Sequence, residues 1–174
     1  MVQERIITVF GSYEPKAGSA EYEQAYQVGY ELAKAGFVVA NGGYAGTMEA
    51  SAKGAKEAGG KTIGVSCRAF ARSKVNDYID REIETDNLRQ RLDKLIELGS
   101  GYVVLPGGTG TLSELAYAWE MINKGFSAGR LLVIIGQFWQ PVVELVEQVS
   151  PRSRGMVQKV SEASELAEIF QKVQ

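Results

Sequence analysis

One stretch of this chain constrains the rest: Val103-Val104-Leu105-Pro106-Gly107-Gly108-Thr109-Gly110-Thr111-Leu112-Ser113-Glu114. An apolar strand runs into Pro106. Gly107, Gly108 and Gly110 then leave a loop nearly free of side chains, and a helix opens near Thr111. Its period puts Leu112, Leu115, Ala116 and Trp119 on the inner face and Glu114 in the first turn. Glycines let a backbone turn tightly and let a ligand approach its amides. The unpaired N–H groups and the dipole at a helix N-terminus attract an anion. Strand, glycine loop and helix start together make a phosphate site, although the same residues also build a ligand-free turn.

The pattern recurs. Phe37 to Ala40 is an apolar strand leading into Asn41-Gly42-Gly43-Tyr44-Ala45-Gly46-Thr47-Met48-Glu49, with a small-residue helix over about 46–58. Arg5 to Phe10 reads as the first strand, ending on Gly11-Ser12, with a helix over about 20–35 carrying Tyr22, Ala25, Tyr26, Gly29, Leu32 and Ala33. Thr62 to Val65 is the third strand. Residues 66–84 read poorly, with Glu82-Ile83-Glu84 a short extended piece, and a stretch this long is more often functional than a plain connection. Helices follow over about 86–98 (Leu88, Leu92, Leu95, Ile96 inward), 110–124, Phe138 to Val149 with Pro141 in its first turn, and 162–172 (Leu166, Ile169, Phe170, Val173 inward). Strands lie at 101–105 and Arg130 to Gly136, and Pro151 to Gly155 is a loop.

Five short apolar strands alternating with helices imply a Rossmann-like, doubly wound parallel sheet in three α/β/α layers, one domain over residues 1–174. Ligands in such sheets bind beyond the carboxyl ends of the strands, where strand order reverses. With order 3-2-1-4-5 the Gly11-Ser12 turn and both glycine loops meet at one place. Neither loop has the Gly-x-Gly-x-x-Gly or Gly-Lys-Ser/Thr pattern, so dinucleotide binding and ATP hydrolysis are disfavoured.

Composition narrows the chemistry. The 174 residues contain no histidine and one cysteine, Cys67. A Ser-His-Asp triad, a histidine zinc site and a thiolate cluster are therefore excluded, no metal is expected, and acid–base work falls to carboxylates, tyrosines or lysines. A net charge of −2 gives no reason to expect nucleic acid or an anionic membrane as partner. No apolar run approaches a membrane span, and the start of the chain runs straight into a strand without a signal peptide, so the expected setting is cytoplasmic.

Glu114 shares a helical face with Tyr117, Ala118 and Met121, beside the phosphate loop, where a carboxylate serves acid–base or ribose-binding roles. Arg89 and Arg91 flank the apolar face of their helix by similar angles, and periodicity does not choose between them.

Pro106 to Glu114 matches residue for residue the Pro-Gly-Gly-x-Gly-Thr-x-x-Glu motif of the LOG (lonely guy) family, whose bacterial members are often labelled lysine decarboxylases. Val9-Phe10-Gly11-Ser12, the loop Gly42 to Glu49 and the segment Ala55 to Gly64 resemble other parts of that family, so the resemblance spans nearly the whole chain. It implies hydrolysis of the N-glycosidic bond of a nucleoside 5′-monophosphate such as AMP or a cytokinin-type nucleotide, without a cofactor. It also implies a catalytic pair formed by Glu114 and Arg91, which decides for Arg91 over Arg89. The phosphate and nucleotide would be held by Gly11, Ser12, Gly42, Gly43, Gly46, Thr47, Met48, Pro106, Gly107, Gly108, Thr109, Gly110 and Thr111. The chain has Arg91-Leu92 where the family has Arg-Lys, and Gly99-Ser100 where it often has Ala-Asp. The resemblance further implies a homodimer or a multiple of it. Some relatives of this fold resemble carriers of molybdenum cofactor, so the alternative is a non-catalytic nucleotide or cofactor binder. Decarboxylation would need a pyridoxal Schiff-base lysine, and neither glycine loop contains a lysine.

Overall fold

The computed structural model describes residues 4–70 and 74–172; the expected inward Val173 lies outside them. The order is β1 (Ile6–Phe10), α1 (Ala20–Lys34), β2 (Val38–Asn41), α2 (Thr47–Glu57), β3 (Thr62–Cys67), β4 (Arg81–Thr85), α3 (Leu88–Leu98), β5 (Gly101–Val104), α4 (Thr109–Asn123), β6 (Leu131–Ile135), α5 (Gln140–Val149), β7 (Val157–Val160) and α6 (Leu166–Gln171). The strands form one sheet in the order β4-β3-β2-β1-β5-β6-β7, and every pairing is parallel. The three-layer α/β architecture agrees with the sequence.

Two strands go beyond the expected five. The extended piece at Glu82–Glu84 is the middle of β4, and β7 occupies a stretch between the expected 151–155 loop and the last helix to which no element was assigned. Both are edge strands, half solvated, with sequences Arg-Glu-Ile-Glu-Thr and Val-Gln-Lys-Val that carry no apolar run. The five anticipated strands keep their order inside these edges. The 151–155 loop contains a short 3₁₀ turn at Pro151–Ser153, and the terminal helix is a 3₁₀ turn at Ala163–Glu165 followed by α6.

Alternating side chains of the central strands supply both cores. Ile7, Val9, Val39, Val103, Leu105 and Val133 pack under α1, α2 and α6. Phe10, Val65, Tyr102, Val104, Leu132 and Ile134 pack under α3, α4 and α5. The inward phase of α4 is Thr111, Leu115, Ala118 and Trp119. Leu112 and Ala116, expected on that face, are exposed, as is Leu88 at the start of α3. Leu112 and Ala116 lie one position off the stripe that meets the sheet, whereas Leu88 is in phase with Arg91 and Leu95 but is the first residue of its helix.

The C-terminus of α3 is fixed by side chains. Thr8 Oγ1 donates to the Leu95 carbonyl at 3.0 Å, and Tyr102 Oη and Arg130 Nη1 donate to the Ile96 carbonyl, each at 2.8 Å. These bonds satisfy carbonyls that a helix end leaves without partners and anchor the helix that carries Arg91. Among the described residues, no helix is long and apolar enough to cross a membrane.

Helices α1 and α2 approach closely through mid-helix glycines. A Cβ on Gly29 would overlap the Ser51 carbonyl, and one on Gly54 would overlap the Tyr26 carbonyl. Alanine is intrinsically better in a helix by about 1 kcal/mol, but here backbone would have to separate from backbone. Gly29→Ala is therefore expected to lower stability by about 2 kcal/mol or more in urea unfolding, against its propensity. A neutral or stabilising result would mean the two helices are not in this contact.

Candidate active site

The chain runs from β1 outward to β4, then returns through α3 to place β5 beside β1. Strand order reverses at that junction, and the loops after β1, β2 and β5 meet above it. They are tied by threonines. The Thr47 amide and Oγ1 donate to the Ser12 carbonyl at 2.8 and 3.0 Å, and Thr111 Oγ1 donates to the Gly11 carbonyl at 2.8 Å. A Cβ on Gly11 would overlap the Thr47 hydroxyl, and one on Gly107 the Thr111 hydroxyl. Gly11 is thus required by contact with the start of α2, and Gly107 by the turn into its own helix α4, as much as by any ligand.

The N-termini of α2 and α4 face this junction. Side chains of Ser19 and Asn87 cap α1 and α3, but α2 and α4 start on Gly46 and Gly108 with no side-chain cap. The amides of Tyr44, Ala45 and Gly46 donate to no group among the described residues, while that of Gly43 is bound by Asn41 Oδ1 at 2.8 Å. Asn41 is fully buried and also donates to the Met48 carbonyl and to Ser51 Oγ, which fixes the path of the loop. Two uncapped helix starts and a run of free amides make a strong anion-attracting surface.

A cavity of about 940 Å³ opens there. Of the residues singled out from sequence, Gly11, Ser12, Gly42, Met48, Gly108, Thr109, Gly110, Thr111, Arg91 and Glu114 line it. Gly43, Gly46, Thr47, Pro106 and Gly107 are not on its wall; they shape the loops behind it. Tyr44 and Ala45 of the expected glycine loop also line it, as do Tyr13, Glu14, Phe70 and Lys74, which sequence reasoning did not single out. Phe70 and Lys74 come from the 66–84 segment, whose length was the only signal.

Arg91 is buried and Arg89 is exposed. Arg91 Nε donates to the Val65 carbonyl at 2.8 Å and Nη2 to the Gly42 carbonyl at 3.2 Å. The rings of Tyr44 and Phe70 lie 5.5 and 5.6 Å from its guanidinium carbon, within cation–π range. A Cβ on Gly42 would collide with the guanidinium. Glu114 Oε1 lies 3.9 Å from Arg91 Nη1, with the two side chains 13% and 10% exposed. That is an ion-pair distance but not a hydrogen bond, and Glu114 accepts no hydrogen bond among the described residues. Burial pushes its carboxyl up to about 7, and the Arg91 charge only partly opposes the shift. The group is thus poised to change protonation near neutral pH, as functional carboxylates often are.

The SLOG cluster4 family model matches residues 4–166. An uncharacterized protein of Archaeoglobus fulgidus is 40% identical over 115 residues, 66% of this chain and 75% of its own length. A Mycobacterium tuberculosis protein named cytokinin riboside 5′-monophosphate phosphoribohydrolase is 36% identical over 99 residues, 56% of this chain and 53% of its own length. Among solved structures, the molybdenum cofactor binding protein of Rippkaea orientalis superposes with a TM-score of 0.82 at 26% identity, covering 99% of both chains.

The Glu114 shift has a stability consequence. With the folded pKa at about 7 and the ordinary carboxyl value at 4.5, the folded state holds a proton that the unfolded state has lost between those limits. Stability therefore falls as pH rises through that window. Glu114→Gln removes the titration, so the stability difference, wild type minus variant, is expected to drop by up to about 3 kcal/mol between pH 4.5 and 8. Denaturant unfolding across that range checks it. A difference independent of pH would mean the carboxyl is not desolvated as described.

Proposed function

The chain belongs to the SLOG cluster4 family, and from that premise we propose that it hydrolyses the N-glycosidic bond of nucleoside 5′-monophosphates, releasing the base and ribose 5-phosphate. The observation that carries this reading is the Arg91–Glu114 pair. It places a largely buried carboxylate, which accepts no hydrogen bond among the described residues, 3.9 Å from a fixed guanidinium on the wall of a cavity bordered by two uncapped helix N-termini.

In this mechanism the 5′-phosphate sits against the amides of Tyr44 to Gly46 and Gly108 to Thr111. Glu114 then faces the ribose. Cleavage passes through an oxocarbenium-like state. The electron pair of the C1′–N bond leaves with the base, which takes up a proton. A water oxygen bonds to C1′ and loses a proton. Ionised Glu114 binds the ribose hydroxyls, stabilises positive charge at the anomeric carbon and positions that water. Arg91 orients Glu114 and faces the departing base. A carboxylate so largely removed from water stabilises a developing positive charge more strongly than one in bulk solvent.

A second reading, a non-catalytic protein that binds or carries a nucleotide or molybdenum cofactor, is favoured by the full-length likeness to the Rippkaea orientalis protein. The same amides would hold its phosphate. Tight binding of a nucleoside monophosphate with no release of base would decide for the carrier.

The hydrolase reading predicts that Glu114→Gln lowers turnover of AMP by about 100-fold or more, with little change in phosphate binding. Arg91→Ala is expected to lose a comparable factor and Arg89→Ala almost none, measured as free base released. Because ionised Glu114 is the active form, kcat/KM for wild type should climb about tenfold per pH unit below about 7 and level off above it. Normal turnover by Glu114→Gln would remove this residue from the mechanism.

A further inference from the structure

Three successive carbonyls of the β2–α2 loop are all taken by side chains. The Gly42 carbonyl accepts from Arg91 Nη2. The Gly43 carbonyl accepts from the Asn76 amide at 2.8 Å and from Asn76 Nδ2 at 3.0 Å, and the Tyr44 carbonyl accepts from the same Nδ2 at 2.8 Å. Asn76 in turn is set by its own backbone, since its Oδ1 accepts from the Tyr78 amide at 3.0 Å. The segment that carries it is fastened at its far end, where Asp80 Oδ2 accepts from the Thr62 amide at 2.9 Å and Asp80 Oδ1 pairs with Lys56 at 2.7 Å.

A trans peptide points its C=O and its following N–H in opposite directions. Carbonyls 43 and 44 drawn to Asn76 therefore turn the amides of Tyr44 and Ala45 away from it. Tyr44 and Ala45 line the cavity and Asn76 does not. Those amides donate to no group among the described residues. Gly43, at φ +79°, permits the turn, and a Cβ there would lie 3.0 Å from Val75 and 3.3 Å from the Gly64 backbone.

The geometry points to Asn76 as a positioning residue that holds the amides of Tyr44 and Ala45 aimed at the phosphate of the ligand, from outside the cavity and without touching it. The assignment rests on the reading of this loop as an anion site. It gives the 66–84 segment a definite task. The backbone amide of residue 76 holds the Gly43 carbonyl even without the side chain, so loss of the side chain frees chiefly the Tyr44–Ala45 peptide plane, whose rotation replaces an N–H facing the ligand with a carbonyl oxygen that repels it.

Titration calorimetry with ribose 5-phosphate on the whole protein tests this separately from catalysis. Asn76→Ala is expected to bind ribose 5-phosphate about tenfold more weakly than wild type. Asn76→Asp, which keeps the acceptor for Tyr78 but loses both donated bonds, should be weakened at least as much. Ser19→Ala, which removes the cap of α1, is the control for a loss of stability alone and should bind as wild type does. In turnover the Asn76 loss should appear in KM, with kcat nearly unchanged. Asn76→Ala or Asn76→Asp binding as tightly as wild type, or Ser19→Ala losing as much, would overturn the assignment. A wild-type protein that binds ribose 5-phosphate but hydrolyses nothing would refute the hydrolase reading and leave the Asn76 assignment standing if its variants still weaken binding. A wild-type protein that binds no ribose 5-phosphate would overturn both.

Discussion

The buried guanidinium of Arg91 organises the ligand-facing end of this molecule. A charge removed from water costs several kcal/mol unless its donors are matched. Here the match comes from separate parts of the chain: the Val65 carbonyl on β3, the Gly42 carbonyl after β2, and the carboxylate of Glu114 on α4. The aromatic faces of Tyr44 and Phe70 surround the same group. Each partner is held in place because the arginine requires it. Gly42 cannot carry a side chain without striking the guanidinium, so one residue fixes both the identity of the loop and its distance from α3. The bonds from Thr8, Tyr102 and Arg130 to the end of α3 keep the arginine from sliding along the sheet.

Glu114 gains its character from the same arrangement. It lies near enough to Arg91 to feel its charge and too far to share a hydrogen bond, so desolvation dominates and its carboxyl titrates near neutrality. The threonine ties from α2 and α4 to the β1 turn hold the uncapped helix starts side by side. The uncapped helix starts and the carboxylate beside Arg91 thus owe their positions to how three strand ends are fastened together.

Much of this was legible in the sequence, for physical reasons that differ by element. The inner strands are continuous apolar runs because both faces are covered, and the two glycine loops declare themselves because little else tolerates such close backbone contact. The edge strands β4 and β7 were not fully read, since half-solvated strands need no apolar run. The phase of α4 was read one position off, as Leu112 and Ala116 show, because a helix flanking a cavity buries Thr111 and Ala118 where periodicity favours larger residues. Arg91 and Arg89 sit at similar angles on α3, so periodicity does not choose between them; the family resemblance chooses Arg91, and its tertiary partners, two backbone carbonyls and a carboxylate, give the physical difference. Asn76 had no signal at all. An asparagine in a polar segment looks like any turn residue until the carbonyls it holds are in view.

The central claim is that the three loops form one anion site with Glu114 facing the sugar. A crystal structure of the protein with ribose 5-phosphate measures this directly. The account predicts the phosphate against the amides of Gly108 to Thr111 and of Tyr44 to Gly46, with the ribose hydroxyls on the Glu114 carboxylate. A phosphate bound only at surface lysines, or seated in the loops with its sugar turned away from Glu114, would contradict it.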